Sequence, residues 1–134
     1  MHKIKVCCAV ITNEKGHVLL VQRPSHKSNA NQWEFPGGKV ESNESLVECI
    51  HREITEELSI EIQLTKKLRT VHHQSQNSHI ELHPFICTSC EIESIQLNEH
   101  QQMMWVSSIP PAHLHISSAD LTILQQLFEK NILK

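Results

Sequence analysis

The chain has 134 residues, with 12 Lys and Arg against 15 Asp and Glu, so its formal net charge at pH 7 is −3 with neutral histidines. This length is enough for one domain with a sizeable core of its own. The acidic balance argues against binding to nucleic-acid polymers, which requires a basic face. We find no signal-peptide-like apolar stretch in residues 1–15 and no apolar run of membrane length, so the five cysteines are expected to be reduced thiols of a cytoplasmic protein without a membrane partner.

The first half of the chain has the pattern of two strands, a loop and a helix. Residues 5–12 and 17–22 have the apolar content of strands, and the turn signal at residues 13–16 predicts that they form a hairpin. Asn43 is the predicted N-cap of the following helix, and Glu44 is well placed for the helix dipole. The helix has an apolar stripe that predicts packing on a sheet, formed by Leu46, Val47, Ile50, Ile54 and Leu58.

The second half predicts more strands and a C-terminal helix. Residues 60–72, 80–92 and 103–106 have strand-like composition, and residues 121–133 have the periodicity of an amphipathic helix. Together with the first half, this order of elements indicates an α/β domain, without internal repeats or linkers.

The cysteines and histidines give no metal-binding pattern. Cys87 and Cys90 form a C-x-x-C motif, but it stands alone in a strand-like stretch where the two thiols point to opposite faces. Both are therefore expected to be buried small hydrophobes rather than zinc ligands. No histidine has ligand spacing together with acids, and we expect ordinary surface and strand residues at His72, His73, His79, His83, His113 and His115.

Three glutamates crowd one flank of the predicted first helix. At about 100° per residue, Glu53, Glu56 and Glu57 fall within an arc of roughly 100°. Carboxylates this close repel one another unless a cation neutralises them, and a divalent metal ion is the usual one. The alternative is a solvated face held by salt bridges with Arg52, which is the commoner arrangement when such charges are taken alone.

The register of these residues favours the metal site, because residues 38–60 resemble the signature of the Nudix hydrolases, G-x5-E-x7-R-E-U-x-E-E-x-G-U, where U is bulky and aliphatic. Gly38 opens the match, Glu44 lies at the right spacing and Ile60 closes it. The one departure is Ser59, which replaces a glycine just beyond a helix end. A left-handed backbone there costs Ser about 1 kcal/mol or less.

Segments outside the signature resemble the MutT-type nucleotide pyrophosphohydrolases of this family. Residues 18–40 look like the approach to the signature, and residues 99–106 resemble the segment that follows the central strands. Residues 118–120, Ser-Ala-Asp, are similar to the end of the bacterial CTP pyrophosphohydrolases, a MutT subgroup. The resemblance implies one Nudix domain over residues 1–134, with a mixed β-sheet sandwiched between α-helices (α/β/α).

The resemblance also implies a hydrolase that uses Mg²⁺ or Mn²⁺, ions that suit a site of oxygen donors. Arg52 is expected to hold the glutamates by charge-assisted hydrogen bonds. Glu99, six residues before a tryptophan, is expected to join the metals or to serve as base. The implied catalytic residues are Arg52, Glu53 and Glu99, and the implied metal ligands are Glu53, Glu56, Glu57, Glu99 and the main-chain carbonyl of Gly37.

Four further residues are candidates for substrate binding, and each has a structural alternative. Arg23 and Lys39 are placed to meet phosphate charge, or are surface charges. Phe35 is a candidate flat wall for the base, or a core residue. Asp120 stands where MutT-like enzymes carry an asparagine that contacts the base, but it is also a candidate helix N-cap. An ionised aspartate only accepts hydrogen bonds, and because cytosine and guanine both offer donors, this changes the base preference without fixing it. The resemblance to the CTP pyrophosphohydrolases, which have Asp in the same Ala-Asp context, tilts the expected preference toward a pyrimidine or a broad profile.

The implied activity is metal-dependent cleavage of nucleoside triphosphates to the monophosphate and pyrophosphate by a monomer or homodimer. CTP or dCTP and oxidised nucleotides such as 8-oxo-dGTP are the candidate substrates, the latter implying nucleotide-pool cleansing. Two alternatives stay open: a non-catalytic Nudix-fold binding module, and a hydrolase of another nucleoside diphosphate derivative. The complete set of metal acids favours an enzyme over a binding module.

Overall fold

The computed structural model describes residues 2–74, 77–107 and 112–129. Within these segments the chain forms eight β-strands, two α-helices and one 3-10 turn, and neither helix is long and apolar enough to cross a membrane. In chain order the elements are β1 (His2–Ile11), β2 (Val18–Gln22), β3 (Trp33–Glu34), β4 (Gly37–Lys39), α1 (Leu46–Leu58), β5 (Gln63–Lys67), β6 (Val71–Gln74), β7 (Ser78–Thr88), the 3-10 turn (Ile92–Ser94), β8 (Gln102–Val106) and α2 (Ser118–Glu129).

The strands form two sheets. Five of them make a mixed sheet in the order β4-β1-β7-β5, in which β6 also pairs with β7. β1 runs parallel to β7 along its whole length and antiparallel to β4. The other three strands make an antiparallel sheet in the order β3-β2-β8.

β1 lies between the two helices and contributes to the core on both of its faces. Successive side chains of a strand point to opposite faces, so its odd-numbered residues pack with α1 and its even-numbered ones with α2. The predicted α/β/α arrangement is therefore confirmed. The core on the α1 side includes Cys7, Ala9, Ile11, Ile50, Ile54 and Leu58, and the core on the α2 side includes Cys8, Val10, Ile123, Leu124 and Leu127.

The predicted hairpin between the first two strands is wrong. β1 and β2 belong to different sheets, and in this described stretch they share only an isolated bridge between Thr12 and Val18. The reason is burial: residues 7–11 and 18–21 are buried without alternation, which is typical of strands covered on both faces. Such strands find their partners at long range rather than across the nearest turn.

Two other strand predictions also need correction. The strand expected over residues 60–72 is interrupted, so that β5 and β6 pair with different parts of β7. The next strand ends at Thr88 rather than at residue 92. As a result Cys87 is buried in β7 as predicted, but Cys90 lies in the following turn and is exposed.

The N-cap of α1 is Ser45 and not the predicted Asn43. The Ser45 hydroxyl accepts a hydrogen bond from the Glu48 N–H at 3.0 Å, and the Glu48 carboxylate accepts one from the Ser45 N–H at 2.8 Å. This reciprocal capping box satisfies two donors at the helix start. Asn43 instead has a left-handed backbone with φ 64°, in the turn that precedes the helix.

α1 ends at a residue with a left-handed backbone, as the glycine of the Nudix signature at this position indicates. Ser59 adopts φ 58° and ψ 35°, and its N–H donates to the carbonyl oxygen of Thr55 at 3.1 Å. The conformation that glycine adopts without strain is thus kept by a serine.

Candidate active site

α1 carries its three central glutamates at very different depths. Glu57 is 1% exposed, whereas the side chain of Glu53 is 14% exposed and that of Glu56 is 52% exposed. Their helix is fixed on one side by the apolar contacts of Ile50, Ile54 and Leu58. Because the apolar stripe and the acidic flank adjoin, packing α1 on the sheet brings the carboxylates to the edge of the core.

Arg52 is the cation that organises this flank. Its guanidinium donates to both carboxylate oxygens of Glu44, from Nε at 2.6 Å and from NH2 at 2.9 Å. Its NH1 donates to Glu53 at 2.9 Å and to Glu56 at 3.3 Å, and its NH2 reaches the Lys39 carbonyl at 3.1 Å. The hydrogen bonds from Arg52 lower the pKa of Glu44 to about 2. These hydrogen bonds fix Arg52 against the protein, in contact with the glutamates that the family resemblance implies it holds.

Glu57 is a buried carboxylate that lacks a hydrogen-bond partner. Neither of its two oxygens is bonded, and the nearest basic nitrogen, His100 Nδ1, is 3.7 Å from Oε1. Burial, together with the nearby carboxylates of Glu53 and Glu99, raises the pKa of Glu57 well above its usual range. A buried, unpartnered carboxylate is costly, and a cation bound to it would remove that cost.

Glu57 faces a small cavity of about 80 Å³ at the junction of the two sheets. Three of the predicted site residues besides Glu57 contribute to its wall, and they come from distant parts of the chain. The lining residues are Arg23, Pro24, Lys27, Glu34, Gly37, Glu57, Glu99 and His100.

The loop that carries Glu99 is attached to the C-terminal end of α1. The amide nitrogen of the Asn98 side chain donates to the Glu56 carbonyl at 2.8 Å and to the Ser59 hydroxyl at 2.9 Å. The backbone N–H of Asn98 donates to the Glu57 carbonyl at 3.0 Å. These bonds satisfy carbonyls that the helix leaves free at its end, and they place Glu99 beside Glu57.

The two glycines before the helix leave room for this arrangement. Gly37 has φ 156°, and a Cβ there would collide with the carbonyl oxygen of Cys7 in the neighbouring strand. A Cβ on Gly38 would lie 2.5 Å from the carboxylate carbon of Glu53. Any larger residue at position 38 would therefore displace the Glu53 carboxylate from its place beside Arg52.

Two site residues were not predicted from the sequence. His100 is 6% exposed, and its Nε2 lies 3.1 Å from one carboxylate oxygen of Glu34. The other oxygen of Glu34 accepts a hydrogen bond from Arg23 at 3.4 Å. The two residues thus connect Arg23 to the neighbourhood of Glu57. The only local signals were their positions, His100 next to Glu99 and Glu34 three residues before Gly37.

A second, larger cavity of about 300 Å³ adjoins the first and shares Arg23, Glu34 and Gly37 with it. All four predicted substrate-binding residues line it. Phe35 also belongs to the core on the α2 side, which was the structural alternative for this residue. The lining residues are Val6, Cys7, Cys8, Arg23, Glu34, Phe35, Gly37, Gly38, Lys39, Leu82 and Asp120.

Asp120 lies inside the first turn of α2 and is not its N-cap. The helix begins at Ser118, and the Leu121 N–H donates to the carbonyl of Ser117 at 2.9 Å. The buried Asp120 carboxylate accepts a hydrogen bond from the Phe35 N–H at 3.1 Å. Burial raises the pKa of Asp120 to about 7, although the bonds from Phe35 and Ser117 lower it in part.

The side chain of Arg23 is held by hydrogen bonds, whereas Lys39 is exposed. Arg23 Nε donates to the Ser28 carbonyl at 2.8 Å, and its NH1 bonds Glu34, so the guanidinium is held at the mouth between the cavities. Lys39 is exposed at the end of β4, and its carbonyl is the acceptor for Arg52.

The donor set at the first cavity fits a hard divalent cation. Carboxylate oxygens and a main-chain carbonyl are the ligands that Mg²⁺ and Mn²⁺ take in proteins, and the unpartnered oxygens of Glu57 need such a charge. The residues that could hold it are Glu53, Glu56, Glu57, Glu99 and Gly37 through its carbonyl.

The acidic flank of α1 beside this cavity gives the α/β/α domain a set of oxygen donors that suits a divalent cation. The NUDIX domain family model matches residues 1–117 of the chain. The chain therefore belongs to the Nudix family, and the predicted resemblance is confirmed.

Several similar proteins are named as enzymes. The CTP pyrophosphohydrolase of Escherichia coli (strain K12) is 33% identical over 125 residues, which are 93% of this chain and 91% of that protein. The 8-oxo-dGTP diphosphatase of Proteus vulgaris is 35% identical over 91 residues, which are 68% of this chain and 81% of that protein. The crystal structure of the MutT protein from Methanosarcina mazei Go1 matches with a TM-score of 0.84 and 26% identity, over 97% of this chain and 96% of that one. The prediction of a Nudix hydrolase is thereby confirmed at the level of the enzyme class.

Proposed function

We propose that this chain is a divalent-metal-dependent pyrophosphohydrolase that converts nucleoside triphosphates to the monophosphate and pyrophosphate. One observation carries the proposal: Glu57 is buried with two unpartnered oxygens at a cavity that Gly37 and Glu99 also line. A carboxylate in this position needs a cation, and the adjoining cavity of about 300 Å³ has room for part of a nucleotide.

Bound Mg²⁺ or Mn²⁺ would supply charge neutralisation at the phosphate oxygens and would acidify a water molecule. The acids of α1, with Glu99 and the Gly37 carbonyl, would hold it. Arg52 keeps Glu53 and Glu56 oriented by its hydrogen bonds and does not contact substrate. We assign a catalytic role to Glu53, because its carboxylate is fixed beside Arg52 and adjoins Glu57.

In this proposal, residues of the protein bind the triphosphate and one of them accepts a proton. Arg23 and Lys39 offer positive charge where the two cavities meet and along the larger one. Water adds across the anhydride between the α and β phosphates: a P–O bond forms, the bridging P–O bond breaks, and pyrophosphate leaves with the bonding electrons. The proton released by the water passes to a carboxylate, for which exposed Glu99 is our candidate.

Asp120 is the proposed base-contacting residue, and its chemistry favours cytosine or a broad profile. An ionised carboxylate accepts a hydrogen bond from an exocyclic amino group, which both cytosine and guanine have. Because the pKa of Asp120 is about 7, a protonated fraction near neutral pH also offers a donor, as the cytosine ring nitrogen requires. The relative named for CTP, which matches along 93% of this chain, supports the same choice, while the relative named for 8-oxo-dGTP keeps oxidised purines as the second candidate.

The test is pyrophosphate release from canonical, methylated and oxidised nucleoside triphosphates, with magnesium and with EDTA. We expect turnover that EDTA abolishes and that is highest for CTP-type or 8-oxo-purine substrates. Glu57→Gln and Glu56→Gln should lower kcat by orders of magnitude because each removes a metal-binding oxygen. Glu61→Gln, an exposed glutamate just past the same helix, is the matched control and should keep full activity.

Two results would contradict the proposal. Turnover that is unaffected by EDTA, or near-normal activity in folded Glu57→Gln protein, would remove the metal site from the mechanism. Activity on nucleoside diphosphate derivatives alone would keep the metal site but replace the substrate class.

A further inference from the structure

Three potential metal ligands meet on the mixed sheet outside the active site. β6 and β7 pair antiparallel with His72 opposite Glu81 and Gln74 opposite His79. Because side chains alternate along a strand, His79 and Glu81 project from the same face of β7, and His72 projects from that face of β6. One ligand atom from each of these three residues lies within 4.8 Å of the others.

The two histidines are already in contact through ring nitrogens. His72 Nδ1 is 2.8 Å from His79 Nε2, and the ring planes are tilted by 52°. A metal ion that binds two imidazoles at about 2.0–2.1 Å holds their nitrogens about 3 Å apart, so a small rotation of either ring suffices. The contact needs a proton between the nitrogens when no metal is bound, and both nitrogens become available as ligands in the tautomer that carries this proton on the other nitrogen of its ring.

Glu81 is oriented by residues beside the pair. Lys3 binds its Oε2 at 2.8 Å, and His83 Nε2 lies 3.4 Å from its Oε1. Each carboxylate oxygen has two lone pairs, so the contacts with Lys3 and His83 still allow Glu81 to coordinate a cation through a single oxygen. Partners of this kind, which fix a ligating group from behind, commonly surround metal sites.

The site differs in chemistry and place from the carboxylate site of α1. Two imidazole nitrogens and one carboxylate oxygen suit late first-row ions such as Zn²⁺, whereas an all-oxygen set suits Mg²⁺. In the mixed sheet, β1 and β7 lie between β4, which carries Gly37, and β6. At about 4.8 Å per strand the two sites are about 14 Å apart across the sheet.

We propose that His72, His79 and Glu81 bind one late first-row divalent cation, of which Zn²⁺ is the representative, and that this ion fastens β6 to β7. The ion would complete its coordination with water, since His72 is exposed and the other two residues are half-buried. Because a bound ion stabilises only the folded chain, its binding also raises thermal stability. The proposal does not depend on the function proposed for the α1 site.

The experiment is calorimetric titration with zinc chloride in excess magnesium, which fills the carboxylate site. It uses the whole chain with Cys90→Ser, because that exposed thiol is another zinc ligand. We expect one bound zinc per chain, and a loss of affinity of about tenfold or more in His72→Gln and in His79→Gln. His73→Gln is the matched control, because His73 pairs with Ile80 and projects from the opposite face of β6.

Thermal unfolding with and without zinc provides the second readout. The zinc-dependent rise in Tm should be present in the parent chain and in His73→Gln, and absent from His72→Gln and His79→Gln. The proposal is overturned if the parent chain binds no zinc under these conditions, or if all three histidine variants bind it with the affinity of the parent.

Discussion

At the scale of single residues, the chemistry of the site depends on how His100 is placed. Its ring is almost fully buried between Glu34 and Glu57, 3.1 Å from the former and 3.7 Å from the latter. Glu34 in turn holds Arg23, a proposed substrate contact. We therefore expect His100 to be a positioning residue that acts on the reaction through these two neighbouring side chains.

We expect His100→Ala to lower kcat/KM by about tenfold or more, because partners of this kind typically contribute that much to metal affinity or activity. KM should rise more than kcat falls if the route through Glu34 and Arg23 dominates. His100→Gln keeps an N–H donor toward Glu34 and should recover part of the loss. Steady-state kinetics at several magnesium concentrations measure this, and equal kinetics in folded wild-type and His100→Ala protein would assign His100 to packing alone.

Asp120, the proposed base-contacting residue, is also expected to affect stability. Its carboxyl pKa is raised to about 7 by burial, against a usual value of 3.8, with Glu34 adding to the rise. Between these two values the folded chain keeps a proton that the unfolded chain has lost, so stability falls as pH rises through this window. Above the folded-state value the full penalty of a buried charge is present.

Replacing Asp120 by Asn retains an oxygen acceptor for the Phe35 N–H and removes the charge. The variant should therefore gain stability relative to wild type as the pH rises from 5 to 8, on the order of 3 kcal/mol. Urea unfolding of both proteins at pH 5 and pH 8 measures the change. If the free energies of unfolding of the two proteins differ by the same amount at pH 5 and pH 8, the raised pKa of Asp120 is contradicted.

At the scale of elements, the two ends of α1 make different kinds of contact. The capping box of Ser45 and Glu48 starts the helix away from the cavity, whereas Asn98 joins the other end to the loop of Glu99. Ser45→Ala and Asn98→Ala should each cost about 1 kcal/mol of unfolding free energy, since each removes comparable bonds to a helix end.

Only Asn98→Ala should also lower kcat/KM, by several-fold, because the Glu99 loop loses its attachment to the helix. Denaturant unfolding together with kinetics at 25 °C distinguishes stability from positioning. If Ser45→Ala reduces activity as much as Asn98→Ala, general loosening of α1 is the cause, and the loop attachment has no special role.

The sequence predicted α1 and its acidic flank well because eight matched signature positions fix their register, but it misplaced the cap. Ser45 and Glu48 have the S-x-x-E spacing of a capping box, a local signal stronger than the single Asn43. The hairpin error also has a local cause. An unbroken apolar run such as residues 7–11 is typical of a strand buried on both faces, and alternation would be expected in an exposed hairpin.

The site residues that sequence analysis missed could not be read locally. His100 and Glu34 are 66 positions apart and meet only because β2, β3 and β8 form one sheet. Likewise, the proximity of His72 and His79 depends on the antiparallel register of β6 and β7. The sequence predicted one unbroken strand over residues 60–72, so it did not predict this pairing. Spacing reveals ligands on one helix, but it does not reveal ligands shared between strands.

At the scale of the whole molecule, the candidate site is formed by residues from both sheets and both helices. Gly37 comes from the mixed sheet, Glu34 from the antiparallel sheet, Arg23 from the loop directly after β2, Glu57 from α1 and Asp120 from α2. β1 joins these layers, because it pairs along both edges and packs on both faces. A chain that loses any one layer would lose the site as well, so folding and function are expected to be lost together.

The turn after β7 gives this molecule an experimental handle. All five cysteines lie in described segments, and four of them are buried while Cys90 is exposed. Burial also raises the pKa of the thiols of Cys7, Cys8, Cys49 and Cys87, which keeps them protonated and poorly nucleophilic. A maleimide dye or a spin label should therefore attach to the native chain at one defined position, without any engineered mutation.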